Sequence, residues 1–150
     1  MKNKFIKYYM DVAQLTSTLS YATRLQVGAV IVKGHKILAT GFNGMPSGWD
    51  NNCEDEIGHM LDDANHIVEI RLKTKPEVLH AESNALMKVA SSTESSENST
   101  MFCTHAPCIH CAKLIYQSGI NSLYYRNTYR DTAGLEFLEK SGVSVTQYCT

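Results

Sequence analysis

Residues Pro107-Cys108-Ile109-His110-Cys111 set the strongest limit on what this chain can fold into. Two cysteines three positions apart face the same way when they open a helix. A helix N-terminus also stabilises thiolates through its dipole and free amides. Pro107 suits a helix entrance. The remaining cysteines are Cys53, Cys103 and Cys149, so the total is five. The first ten residues contain several lysines, but Tyr8, Tyr9, Asp11 and Gln14 interrupt any apolar signal core. An odd cysteine count without a secretory signal argues against a disulfide framework. It favours metal binding in a cytoplasmic protein.

A second motif, His80-Ala81-Glu82, supplies what the first lacks. One imidazole and two thiolates make a three-ligand zinc set with an open fourth position, which is the mark of a catalytic site. Glu82 is two residues from His80 and does not share its direction on a regular helix. It is placed to reach the open position as an acid/base instead of acting as a ligand. Zinc with two thiolates and a neutral imidazole has no net charge, so it acidifies its water less than an all-imidazole site. A nearby carboxylate is then useful to take the proton. Taken alone, Cys-x-x-Cys also fits a redox pair or half of a structural zinc site. The conjunction, with each motif opening its own helix and a strand between them, favours catalysis.

Around these motifs the pattern reads as α/β. Phe5, Tyr8, Tyr9, Val12, Leu15 and Leu19 recur at helical spacing over residues 3–20. Residues 27–32 are β-branched and apolar, and residues 37–41 return after a turn at Lys33-Gly34-His35-Lys36, giving a hairpin. Residues 42–56 form a long turn-rich loop. Residues 57–73 are expected to be helical, and Pro76 precedes a helix at about 80–90. Residues 91–99 are a polar connector. Then come a strand at 100–104, a helix at 108–118 ended by Gly119, a strand at 121–126, a helix at 131–140 and a strand at 143–146. Helical connections make the later strands parallel. The expected architecture is a three-layer α/β/α sandwich with a mixed five-stranded sheet, without a linker that would divide residues 1–150. Net charge is −1, dispersed and without a basic tract, which disfavours a polynucleotide partner. No stretch approaches membrane-spanning length.

His-x-Glu followed by Pro-Cys-x-x-Cys is the zinc deaminase signature. The chain resembles the deoxycytidylate (dCMP) deaminases over most of its length. The resemblance includes Arg24-Leu25-Gln26-Val27-Gly28-Ala29-Val30-Ile31-Val32 and Gly41-Phe42-Asn43-Gly44-Met45-Pro46-Ser47-Gly48. It continues through His80–Leu86, Pro107–Ile115, Tyr129-Arg130-Asp131 and Gly134-Leu135. It implies a cytidine deaminase-like fold, with residues 1–150 forming a single zinc-dependent dCMP deaminase domain. It also implies Zn2+ held by His80, Cys108 and Cys111. A zinc-bound hydroxide attacks C4 of the base, Glu82 shuttles protons, and dCMP gives dUMP and ammonia for thymidylate synthesis. Asn43 corresponds to a residue that bonds the sugar, the Ala81 backbone to one that meets the pyrimidine carbonyl, and Tyr129 to an aromatic residue near the base or sugar. Arg24 and Lys88 are candidates for phosphate or sugar contacts. Ser91 stands where some relatives place an arginine.

The resemblance further implies a hexamer activated by dCTP with Mg2+ and inhibited by dTTP. Phe42, Gly44 and the acidic run Glu54-Asp55-Glu56 are the candidates for that regulatory site. Some relatives carry a second, structural zinc, for which Cys53, His59 and His66 are candidates, the two histidines sharing a helical face. His105, beside the zinc motif, is a further candidate for substrate contact. Cys103 reads as core, Cys149 as free, and Trp49 as a local packing anchor. The alternatives are another zinc-dependent nucleoside, nucleobase or tRNA adenosine deaminase, and a non-catalytic zinc-binding module.

Overall fold

In the computed structural model, which describes residues 1–149, the layers form around β1 (Gly28–Lys33). Successive strand side chains point to opposite faces. Ala29 and Ile31 enter one core with Ala85, Val89, Ile115, Leu123 and Leu138. Val30 and Val32 enter a second core with Ile6, Tyr9, Met10, Ala13 and Phe102. The apolar run in β1 is therefore continuous because both of its faces are covered.

The sheet is five-stranded, in the order β2 (Lys36–Phe42), β1, β5 (Thr100–His105), β6 (Ser122–Asn127), β7 (Ser144–Gln147). β1 runs antiparallel to both neighbours, while β5, β6 and β7 are parallel. The first core joins the sheet to α2 (Ala81–Ala90), α3 (Ile109–Gln117) and α4 (Ala133–Lys140). α1 (Asn3–Ser17) covers the other face. This is the expected three-layer arrangement with a mixed sheet.

Two expectations need correction. α1 buries Ile6, Tyr9, Met10 and Ala13, whereas Tyr8 and Leu15 are exposed, as is Leu19 beyond its end. The seated face combines small and large residues. Tyr9 meets Phe102 at 5.2 Å between ring centroids, and Phe102 stacks on Tyr124 at 5.1 Å. Residues 57–73 are not helical. They belong to an antiparallel hairpin of β3 (Glu54–Leu61) and β4 (Ile67–Thr74), a separate two-stranded sheet. Ile67, Val68 and Ile70 are β-branched and favour strand. Asp62 caps the turn by accepting the amides of Ala64 and His66, and Asn65 takes φ +62° there. Among the described residues no helix is long and apolar enough to cross a membrane.

Candidate active site

Two helix N-termini meet on the same side of the sheet. His80 is the N-cap residue of α2 and Cys108 that of α3, both with extended backbone. Neither side chain makes a capping hydrogen bond. They face each other instead: His80 Nδ1 lies 3.6 Å from Cys108 Sγ and 3.4 Å from Cys111 Sγ.

Glycines permit this convergence. A Cβ on Gly41 of β2 would sit 2.1 Å from the Ala81 carbonyl oxygen, so only glycine lets α2 start this close to the sheet. A Cβ on Gly134 of α4 would sit 2.1 Å from the Pro107 carbonyl oxygen, against the turn that presents Cys108.

The three donors fit zinc. Nitrogen and sulfur ligands at 2.0–2.1 and 2.3 Å in tetrahedral array lie roughly 3.6 Å apart. The measured separations match that edge length, and all three donor atoms lie within 4.8 Å of one another. The chain's own groups already favour a charged sulfur here. The Cys108 thiol is lowered to about 3, chiefly by a hydrogen bond from Cys111 and then by one from His80. The same contact raises the Cys111 thiol, and the bond to Cys108 raises His80.

Glu82 is buried in the first turn of α2. Desolvation pushes its carboxyl up to about 7, which places its proton exchange near neutral pH. His80, Glu82 and Cys108 line one cavity of about 320 Å³. Its wall also includes Arg24, Asn43, Glu54, Thr74, Ala81, His105 and Tyr129. Asn43 is a wall post: its Oδ1 accepts the Val27 amide at 2.8 Å and its Nδ2 donates to the Leu25 carbonyl at 2.9 Å. That leaves one N–H free to serve a ligand. The Arg24 guanidinium donates to Thr74 Oγ1 at 3.0 Å. Burial lowers the His105 pKa and favours the neutral ring.

The structure therefore gathers His80, Glu82, Cys108, Asn43, Ala81, Arg24, Tyr129 and His105 into one cavity, with Cys111 behind the first three. Lys88 is outside it, its ammonium donating to the Thr40 carbonyl at 2.6 Å. Of the five residues expected at a regulatory site, Phe42, Gly44, Glu54 and Asp55 have separate surroundings, and Glu56 lies beside His59. The Phe42 carbonyl accepts from Asn84, and Gly44 bridges to Leu79. Asp55 is exposed 3.8 Å from Lys75, while Glu54 lines the main cavity.

Cys53 is buried, His59 lies beside Glu56 and His66 beside Asp62, so these three do not converge. His80, Cys108 and Cys111 are the one such cluster among the described residues. Trp49, expected as a local packing anchor, is exposed. Cys103 is fully buried, and Cys149 is exposed and unpaired. Thr74 was not foreseen. It reaches the cavity at the end of β4, and reading that strand as helix hid it.

Comparison with known proteins agrees with this geometry. The family described as cytidine and deoxycytidylate deaminase zinc-binding region matches residues 3–127. The crystal structure of dCMP deaminase from the cyanophage S-TIM5, in complex with dCMP and dUMP, superposes with a TM-score of 0.85 at 44% identity, covering 99% of each chain. The chain is 36% identical to the deoxycytidylate deaminase of Homo sapiens, covering 95% of this chain and 78% of the human one. It is 31% identical to that of Saccharomyces cerevisiae, covering 99% of this chain but only 46% of the yeast protein.

Proposed function

The chain belongs to the cytidine and deoxycytidylate deaminase family, and from that premise we propose that it hydrolyses dCMP to dUMP and ammonia. The observation that carries the reading is the triad at tetrahedral edge lengths, with a buried carboxyl in the same cavity. Zinc bound by His80, Cys108 and Cys111 supplies Lewis acidity toward the attacking water.

Glu82 moves the protons. Its carboxylate takes a proton from the water that adds to C4 and delivers one to ring N3; a second transfer reaches the departing amine. A carboxyl that titrates near pH 7 is suited to both directions. Burial keeps bulk water from competing for that proton. The Ala81 backbone meets the pyrimidine carbonyl, and Tyr129 borders the base. The free N–H of Asn43 serves the sugar, and Arg24 supplies the cation for the 5′-phosphate. The neutral His105 ring lines the wall.

The same family reading carries a hexameric assembly with dCTP, together with Mg2+, as activator and dTTP as inhibitor. Sigmoidal dependence on dCMP that dCTP makes hyperbolic supports it. A hyperbolic curve indifferent to both nucleotides removes it.

Glu82→Gln is expected to keep zinc and fold while lowering turnover of dCMP by roughly 10²–10⁴-fold. Ammonia release and bound zinc, measured on the same sample, test this, and retained turnover overturns the role of Glu82. A panel of dCMP, CMP, dCTP, deoxycytidine, guanine and a tRNA anticodon stem tests the substrate. Turnover confined to dCMP supports the reading, and turnover of another member replaces it.

A further inference from the structure

The cavity contains a second carboxylate, which the chemistry above does not use. Glu54 is 6% exposed and lines the same wall as Arg24, Asn43 and Thr74. It opens β3 directly opposite Thr74, the last residue of β4. Its Oε1 accepts two backbone N–H bonds, from Thr23 at 3.0 Å and Arg24 at 3.1 Å. Among the described residues Glu54 makes no ion pair. Among the described residues its other oxygen, Oε2, has no hydrogen-bond partner, yet it is not sealed from solvent. Burying a carboxylate is costly unless its oxygens are satisfied. Here one oxygen is fixed by the backbone and the other, on a residue that lines the cavity, has its acceptor capacity unspent.

The chemistry of the substrate says what that oxygen can take. An ionised carboxylate only accepts. With its phosphate ionised, dCMP carries just two donor groups, the 4-amino group and the 3′-hydroxyl. The amino group is the one removed, so it lies at the reacting centre with Glu82. The phosphate is repelled by a carboxylate and belongs with the Arg24 guanidinium. One donor is left. Resting on the dCMP reading, we propose that Glu54 is a specificity-determining residue whose Oε2 accepts the hydrogen bond of the sugar 3′-hydroxyl. The two backbone bonds to Oε1 hold the carboxylate in place before the nucleotide arrives.

The test compares dCMP with 2′,3′-dideoxycytidine 5′-monophosphate, which lacks only that hydroxyl. Zinc-loaded wild-type protein is expected to prefer dCMP in kcat/KM on the order of 10- to 100-fold, the scale of a hydrogen bond to a charged group. Glu54→Gln keeps an oxygen for the two amides but removes the charge, and is expected to cut the preference at least about five-fold. Arg24→Ala is expected to weaken both nucleotides alike and leave their ratio unchanged. Equilibrium binding of the two nucleotides to zinc-loaded Glu82→Gln protein repeats the comparison without turnover.

Equal handling of the two nucleotides by the wild type overturns the assignment. So does a Glu54→Gln variant that slows both equally, which is what a purely structural role gives. If Glu54→Gln does not fold, the wild-type ratio and the Arg24→Ala ratio decide. Absence of dCMP turnover by zinc-loaded wild type strikes the deaminase reading instead. Turnover without a preference strikes only Glu54.

Discussion

The five-stranded sheet and the β3–β4 hairpin are both paired strands rich in aliphatic residues, but their surroundings are opposite. Residues 28–32 of β1 are buried without exception, between α1 on one side and α2 on the other. In β4, Ile67, Val68 and Ile70 are all exposed, and Ile57, Met60 and Leu61 are exposed across from them in β3. The sheet is held by what covers it. The hairpin is held by its ladder and by its base, where Glu54 takes the Thr23 and Arg24 amides and Arg24 bonds Thr74. The base alone enters the active cavity. The chemistry is thus built on the sealed part, and one wall of the cavity is borrowed from the open part.

The comparison is sharpest at Leu123, which is fully buried on β6. Leu123→Ala is expected to cost about 4 kcal/mol, because the surrounding layers cannot collapse onto the space it leaves. Denaturant titration checks it, and a cost below about 1 kcal/mol would break the picture of a sealed sheet.

A slightly smaller effect belongs to Glu82, the carboxyl that the helical layer buries. Its folded pKa is raised from 4.5 to about 7 by desolvation. Between those values the folded chain holds a proton that the unfolded chain has released. In metal-stripped protein the stability from this group is therefore full below pH 4.5 and is lost as pH rises through 7, by roughly 3 kcal/mol. Chemical unfolding across that range, wild type against Glu82→Gln, isolates it. A difference that grows in favour of wild type with rising pH would reverse the sign and defeat the explanation.

The same contrast explains what could be read from the sequence. Ala29 to Val32 are legible because two covering layers demand an unbroken apolar run, and the zinc motifs are legible because metal chemistry fixes residue type and spacing. The convergence of His80 with Cys108 and Cys111 followed from both motifs opening helices on one sheet. Residues 57–73 were not legible in this way. A hairpin without a core has no buried face, so its apolar positions carry no enforced period. With β4 hidden, Thr74 was missed and Glu54 was assigned to a regulatory loop. Lys88 was misplaced for a different reason: a charged side chain on a helix gives no sign of which carbonyl it will reach.

Gly134 probes how far the sealed side supports the metal ligands. Gly134→Ala puts a methyl group 2.1 Å from the Pro107 carbonyl oxygen and against the Cys108 backbone. Backbone must shift, at an expected cost of about 1–3 kcal/mol. Because the shift falls on the turn presenting Cys108, zinc affinity is expected to drop along with stability. Chelator competition measures the first and thermal unfolding the second. A loss of stability with unchanged zinc affinity would separate α4 from the site.

The smallest effect is expected in the hairpin, and it tests the contrast from the other side. Val68 is 61% exposed, so Val68→Ala removes two methyl groups that are already largely in water. Stability should change by less than about 0.5 kcal/mol, part of it from the lower strand propensity of alanine. Kinetics with dCMP should be unaffected, since Val68 does not line the cavity. Amides of β3 and β4 should also exchange with solvent well before those of β1 and β5, because a two-stranded ribbon opens without disturbing a core. Should Val68→Ala instead cost as much as Leu123→Ala, and do so in a concentration-dependent way, the exposed aliphatic face must be covered in solution by another chain. The hairpin would then be a sealed element too, with its second layer supplied from outside.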